Sequence, residues 1–157
     1  MGQGGKMDKI LRHAQAHGEI FEALSFFNKA MSVTAGEKTI DYLHDISKLF
    51  SKDIISHLKF EEGRIFSLVL SDGSLKDKGF IRSLQHEHID ILAKIDEFND
   101  LLPKGNFESS DKNKVKGLVE LSKEIIKMML THARKEDGEL FPLLKRLGYS
   151  IAETKVN

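Results

Sequence analysis

Residues 57–68 read His57-Leu-Lys-Phe-Glu61-Glu62-Gly-Arg-Ile-Phe-Ser-Leu68, and residues 132–143 read His132-Ala-Arg-Lys-Glu136-Asp137-Gly-Glu-Leu-Phe-Pro-Leu143. His, Glu, Gly, Phe and Leu recur in register, and Lys/Arg, Glu/Asp and Ile/Leu are matched in kind. Each copy sets a histidine four residues before a glutamate, so on a helix the imidazole and the carboxylate share one face, a turn apart. A helix presents two metal ligands in this way. It also presents an ordinary surface pair in this way, so the flanking sequence has to decide.

The flanks place both copies on long amphipathic helices. The first copy lies on a helix of about residues 37–70, with Ile46, Phe50, Ile54, His57, Glu61, Ile65 and Leu68 along its inner face. Thr34-Ala-Gly-Glu37 has the spacing of a capping box that starts this helix, and Ser71-Asp-Gly-Ser74 reads as the turn that follows it. The second copy lies on a helix of about residues 111–147 carrying Leu118, Leu121, Ile125, Met128, Met129, His132, Glu136, Leu140 and Leu143. Pro142 lacks the donor for an internal helix bond and is expected to kink or end it.

Two more helices complete the set. One covers about residues 7–31, where Ile10, Ala14, Ile20, Phe21, Leu24, Phe27 and Met31 follow a helical period, His17 lies inside the stripe and His13 at its edge. The other covers about residues 75–102, where His88 has Ile81, Leu84, Ile91, Leu92 and Ile95 at its helical neighbour positions and so points inward. His86, beside Arg82, Ser83 and Asp90, is expected to face water, and His44 to lie at the surface or the end of the core. Four such helices with short joints pack as an antiparallel up-down four-helix bundle, an all-α fold in one domain spanning residues 1–157.

Composition narrows the function. Lys plus Arg and Asp plus Glu balance at 24 each, so no basic excess points to nucleic acid. There is no cysteine, which excludes disulfides, thiolate metal sites, cysteine-ligated clusters and a cysteine nucleophile, and fits a reducing compartment. No apolar run approaches the roughly 20 residues that span a membrane, and no signal-peptide pattern follows the start. A cytoplasmic protein that engages neither membrane nor nucleic acid is expected.

The repeat is larger than the opening stretch. His17-Gly-Glu-Ile-Phe-Glu-Ala-Leu-Ser-Phe-Phe27 aligns loosely with the segment from His88 to Phe98, at an offset of 71 residues, against 75 for the His/Glu copies. The chain therefore reads as two helical hairpins, each with one His on its first helix and a His-x3-Glu on its second. Packed with approximate two-fold symmetry, they bring His17, His57, Glu61, His88, His132 and Glu136 to one level of the core. A lone histidine on an apolar stripe is more often a satisfied core residue, and a lone His-x3-Glu a surface pair. Six such groups on inward faces are different, because burying them without partners costs several kcal/mol per unpaired charged group. A bound cation pair offsets that penalty.

The donor set bears on the metal. Nitrogen and oxygen ligation rich in imidazole suits iron, zinc, copper or nickel and disfavours magnesium and calcium. Four His and two Glu exceed the needs of one tetrahedral zinc but suit two metals that share Glu61 and Glu136 as bridges. Glu62 and Asp137 stand as second choices to those two. Fewer carboxylates than in the four-Glu di-iron bundles lean the site toward binding a small molecule rather than oxidising a substrate.

At this point the chain resembles the hemerythrin-like family, also called HHE cation-binding domains. The half-repeat His…His-x3-Glu is found as His17…His57-Leu-Lys-Phe-Glu61 and as His88…His132-Ala-Arg-Lys-Glu136, and the match covers residues 8 to 147. The resemblance implies a non-haem centre of two iron ions, joined by an oxo or hydroxo bridge and by the two glutamates, within a four-helix bundle. Other divalent transition metals would fit the same donors. Members bind oxygen reversibly, sense oxygen, iron or redox state, or handle nitric oxide and repair damaged iron centres. Oxygen carriers of the family place a second His where this chain has Leu84, and use an Asp five residues after the last His, where Asp137 is available. The chain is similar instead to the symmetric four-His, two-Glu variant of the iron-centre repair proteins, with His13 a candidate for an additional ligand.

Three functional readings stand at this stage. The first is a binding protein whose di-iron site takes up oxygen or nitric oxide for storage, transport or sensing. The second is repair of iron centres, or detoxification of nitric oxide or peroxide; beyond the metal site, no general base or nucleophile is legible. The third is histidine phosphotransfer through His57, since His57-Leu-Lys59 resembles a His-x-Lys motif, although it leaves the other five site residues without a role.

Overall fold

A computed structural model describes residues 17–31, 37–102 and 112–149. Every element among the described residues is helical, and four long helices form the all-α bundle. We label them α1 (residues 17–31), α2 (Glu37 to Asp72), α3 (Leu75–Leu101) and α4 (Lys112 to Arg146). His13 and Thr34, and with Thr34 the capping box proposed for α2, lie outside the described residues.

The bundle forms because each helix hides one apolar stripe. Leu24 and Met31 of α1, Leu43, Ile46, Phe50 and Ile54 of α2, Ile91, Ile95 and Phe98 of α3, and Leu118, Ile125 and Met129 of α4 make one buried cluster. Ile65, Phe66, Val69, Ile81, Leu84, Leu140, Leu143 and Leu144 make a second. Phe50 and Phe98 meet edge to face across α2 and α3, with ring centroids 5.4 Å apart. The residues that part the two clusters along the helices are polar, and they make the site.

Neither α2 nor α4 is a uniform α-helix. α2 passes through π-helical turns at Leu49–Ile54 and Glu61–Ile65, and α4 through one at Glu136–Leu140, with right-handed helical backbone at the junctions. A π turn takes in one more residue than the α-helical period and so rotates everything beyond it. For that reason the inner face of α2 ends on fully buried Val69, and Leu68, expected there from a regular period, is only half-buried. Pro142 does not end α4. It occupies the first turn of the segment Phe141–Arg146 just beyond the π turn, a position where a missing N–H is tolerated.

The link from α2 to α3 is tighter than the expected four-residue turn. Ser71 and Asp72 are still helical. Gly73 donates to Val69 O at 2.7 Å, and a Cβ on it would sit 2.6 Å from that oxygen, so only glycine makes the corner. Ser74 then caps α3: its hydroxyl accepts from Asp77 N at 3.2 Å while Ser74 N donates to the Asp77 carboxylate at 3.0 Å. α4 ends in a Schellman motif, with Gly148 at φ 99° and Tyr149 N donating to Leu144 O at 2.9 Å.

Candidate metal centre

All four helices send one level of side chains to a common point. α1 supplies His17, α2 His57 and Glu61, α3 His88, and α4 His132 and Glu136. All six are buried, and both glutamates are wholly inaccessible to solvent. They fall into two clusters with ligand atoms within 4.8 Å of one another: His17, His57 and Glu136, and His88, His132 and Glu61. Each cluster thus takes its carboxylate from the opposite hairpin.

The glutamates also reach beyond their own clusters. Glu61 Oε1 lies 3.3 Å from His88 Nε2, 3.5 Å from His57 Nε2 and 3.8 Å from His132 Nε2. Glu136 Oε1 lies 3.2 Å from His132 Nε2 and 3.4 Å from His17 Nε2. Each carboxylate therefore faces imidazoles of both clusters. All four histidines turn Nε2 inward.

The opposite nitrogens meet a second row of acids. Glu62 Oε1 is 2.9 Å from His88 Nδ1, and Asp137 Oδ1 is 3.2 Å from His17 Nδ1. Glu62 is held in turn by Gln85, whose Nε2 donates to its other oxygen at 3.0 Å. His132 Nδ1 looks toward Glu87 at 3.7 Å, and Lys135 Nζ lies 3.4 Å from the same carboxylate. Aromatic rings close the cage: Phe66 stacks on His88 with centroids 5.1 Å apart, and Phe141 meets His17 edge-on at 5.9 Å. A cavity of about 250 Å³ between α3 and α4, lined by Glu87, Ile91, Met128 and Thr131 among others, runs up to this outer acid of His132.

These contacts suit a cation. Both oxygens of Glu136 are buried with no hydrogen-bond donor among the described residues, a costly state for an isolated carboxylate. His88 Nε2 and His132 Nε2 stand 2.9 Å apart. With the His88 proton assigned to Nδ1 by its Glu62 partner, the His88 Nε2 lone pair is aimed at His132 and Glu61. Nitrogen and oxygen donors that converge in this way are stabilised by a metal between them.

The sequence placed its six primary residues in one cage. Its second choices Glu62 and Asp137 stand outside, 37% and 47% exposed at the side chain, against the imidazoles rather than among the inner donors. His86 is exposed and His44 half-buried, and neither belongs to either cluster. Leu84 is fully buried among apolar side chains. His57 is buried in the cage, whereas phosphotransfer requires an accessible imidazole. Sequence reasoning missed Gln85, Glu87 and Lys135; the helical period could have found Glu87, which precedes His88 and shares a flank with α4. It also missed the three π turns, two of which, Glu61–Ile65 and Glu136–Leu140, begin with the Glu-acid-Gly run repeated in both copies.

A family model described as the hemerythrin HHE cation binding domain matches residues 12–144, most of the chain and all six inner residues. No curated protein and no solved structure gives a match.

Proposed function

The chain belongs to the hemerythrin HHE cation-binding family, and from that premise we propose that it is a cytoplasmic di-iron protein that binds a small diatomic ligand, oxygen or nitric oxide. The observation that carries the reading is the crossed pair of clusters, in which Glu61 and Glu136 each face imidazoles of both. One iron would be held by His17, His57 and Glu136, the other by His88, His132 and Glu61, with both carboxylates as bridges. When bound, the iron pair supplies redox-active positions to which a diatomic molecule can attach.

The chain's own residues do the rest. The imidazoles offer Nε2 lone pairs at fixed positions, the glutamates neutralise cationic charge, and the two apolar clusters keep bulk water from either end of the cage. Anaerobic iron loading followed by oxygen or nitric oxide, with the visible spectrum recorded before and after removal of the gas, tests the role. A reversible spectral change is the expected result. No change with either gas would contradict ligand binding.

One observation favours a second reading, iron-centre repair or turnover of nitric oxide or peroxide. Leu84 fills with hydrocarbon the position where oxygen carriers of the family have a further histidine, and Asp137 stands outside the cage. Catalytic consumption of peroxide or nitric oxide by the iron-loaded protein would select that reading over a carrier or sensor.

A further inference from the structure

Resting on the metal-centre reading, we propose that Glu62 and Asp137 are a matched pair of positioning residues. Each accepts a hydrogen bond from the Nδ1–H of the first-helix histidine of the opposite hairpin and so holds that imidazole's Nε2 lone pair in the cage. The two are equivalent positions of the repeat, each directly following its inner glutamate, and they make equivalent contacts at 2.9 Å and 3.2 Å. Equivalence under the internal symmetry is difficult to reconcile with incidental surface pairing, because two unrelated stretches of surface would have to arrive at the same partner. Glu62 is also pinned by Gln85, so its oxygen is fixed before the imidazole needs it.

The inner and outer acids act as one clamp. Glu61 meets His88 at Nε2 and Glu62 meets it at Nδ1; Glu136 meets His17 at Nε2 and Asp137 meets it at Nδ1. Both pairs open a π turn, Glu61–Ile65 and Glu136–Leu140. A carboxylate on Nδ1–H fixes the tautomer and ring orientation and makes the opposite nitrogen a better donor.

The probe is zinc, a diamagnetic stand-in for the proposed iron, added to the full-length chain. Nitrogen-15 NMR of the zinc-loaded protein is expected to show His17 and His88 protonated at Nδ1 and metal-bound at Nε2. In competition with a chelator, Glu62→Ala and Asp137→Ala are expected to lower zinc affinity by about 10–100-fold. Glu62→Gln and Asp137→Asn, whose amide oxygens still accept the Nδ1–H hydrogen bond, should recover most of that loss. Both side chains are partly exposed, so the variants are expected to fold, and the tautomer measurement needs no variant at all. Metal on Nδ1, unchanged affinity in the alanine variants, or amides no better than alanine would each overturn the proposal. A wild-type chain that binds no zinc and no iron overturns the metal-centre reading itself, and this proposal with it.

Discussion

Glu62 Oε1 lies 2.9 Å from His88 Nδ1, although the two residues belong to different hairpins. The doubled stretch therefore serves the half of the molecule it does not belong to. From α2 it gives His88 an acid on each nitrogen and the face of Phe66; from α4 it gives His17 the same three, with Phe141 edge-on. The cage is complete only where the two hairpins meet.

Removing a carboxylate proposed as a bridge should separate metal binding from folding. Glu136 is buried with no hydrogen-bond donor among the described residues, so Glu136→Gln is expected to relieve an electrostatic cost in the metal-free chain while deleting the proposed bridge. Metal at about 100 times its Kd stabilises a protein by about 2.7 kcal/mol. Thermal melts with and without metal should show that increment in wild type and little of it in the variant. The metal-free variant should melt no lower than metal-free wild type.

The glycines of the π turns at Glu61–Ile65 and Glu136–Leu140 behave differently from the corner glycine. A Cβ at Gly63 or Gly138 meets nothing within 4 Å. Gly63→Ala and Gly138→Ala are expected to raise stability by about 0.5–1 kcal/mol, the usual helical preference, with metal content unchanged. Gly73→Ala forces a Cβ against Val69 O and is expected to destabilise the protein. Denaturant midpoints of the three variants check the contrast.

The start of α3 should be sensitive to acid. The Ser74 backbone N–H, with the Ser74 hydroxyl and the Arg146 guanidinium adding to it, holds the Asp77 carboxyl below its ordinary value of 3.8. A depressed carboxylate contributes stability that is fully present above the ordinary value and fades as pH falls through the lower, folded one. Asp77→Asn should therefore flatten the stability profile at the acid end below pH about 4 and lower stability near neutrality. Ser74→Ala, which removes the cap hydroxyl, should cost about 1 kcal/mol at neutral pH. Stability measured across that pH range tests both.

The bundle and the six inner residues were legible because their signals are local and periodic. His17 and His88 sit on apolar stripes, and His57–Glu61 and His132–Glu136 have a spacing that any helix turns into a shared face. What a uniform period hides is a change of period. The π turns moved the buried position from Leu68 to Val69 and let Pro142 pass within α4. The outer contacts of Glu62, Asp137 and Glu87 depend on which helices are neighbours and how each is rotated, and a single helical face carries no record of that.

The most direct test is metal stoichiometry. The chain, loaded with iron(II) under anaerobic conditions and freed of excess, is measured by elemental analysis against protein concentration. Two iron ions per chain are expected, falling in Glu61→Ala and Glu136→Ala. Less than one ion per wild-type chain, or equal content in those variants, would contradict a two-metal cage built on Glu61 and Glu136.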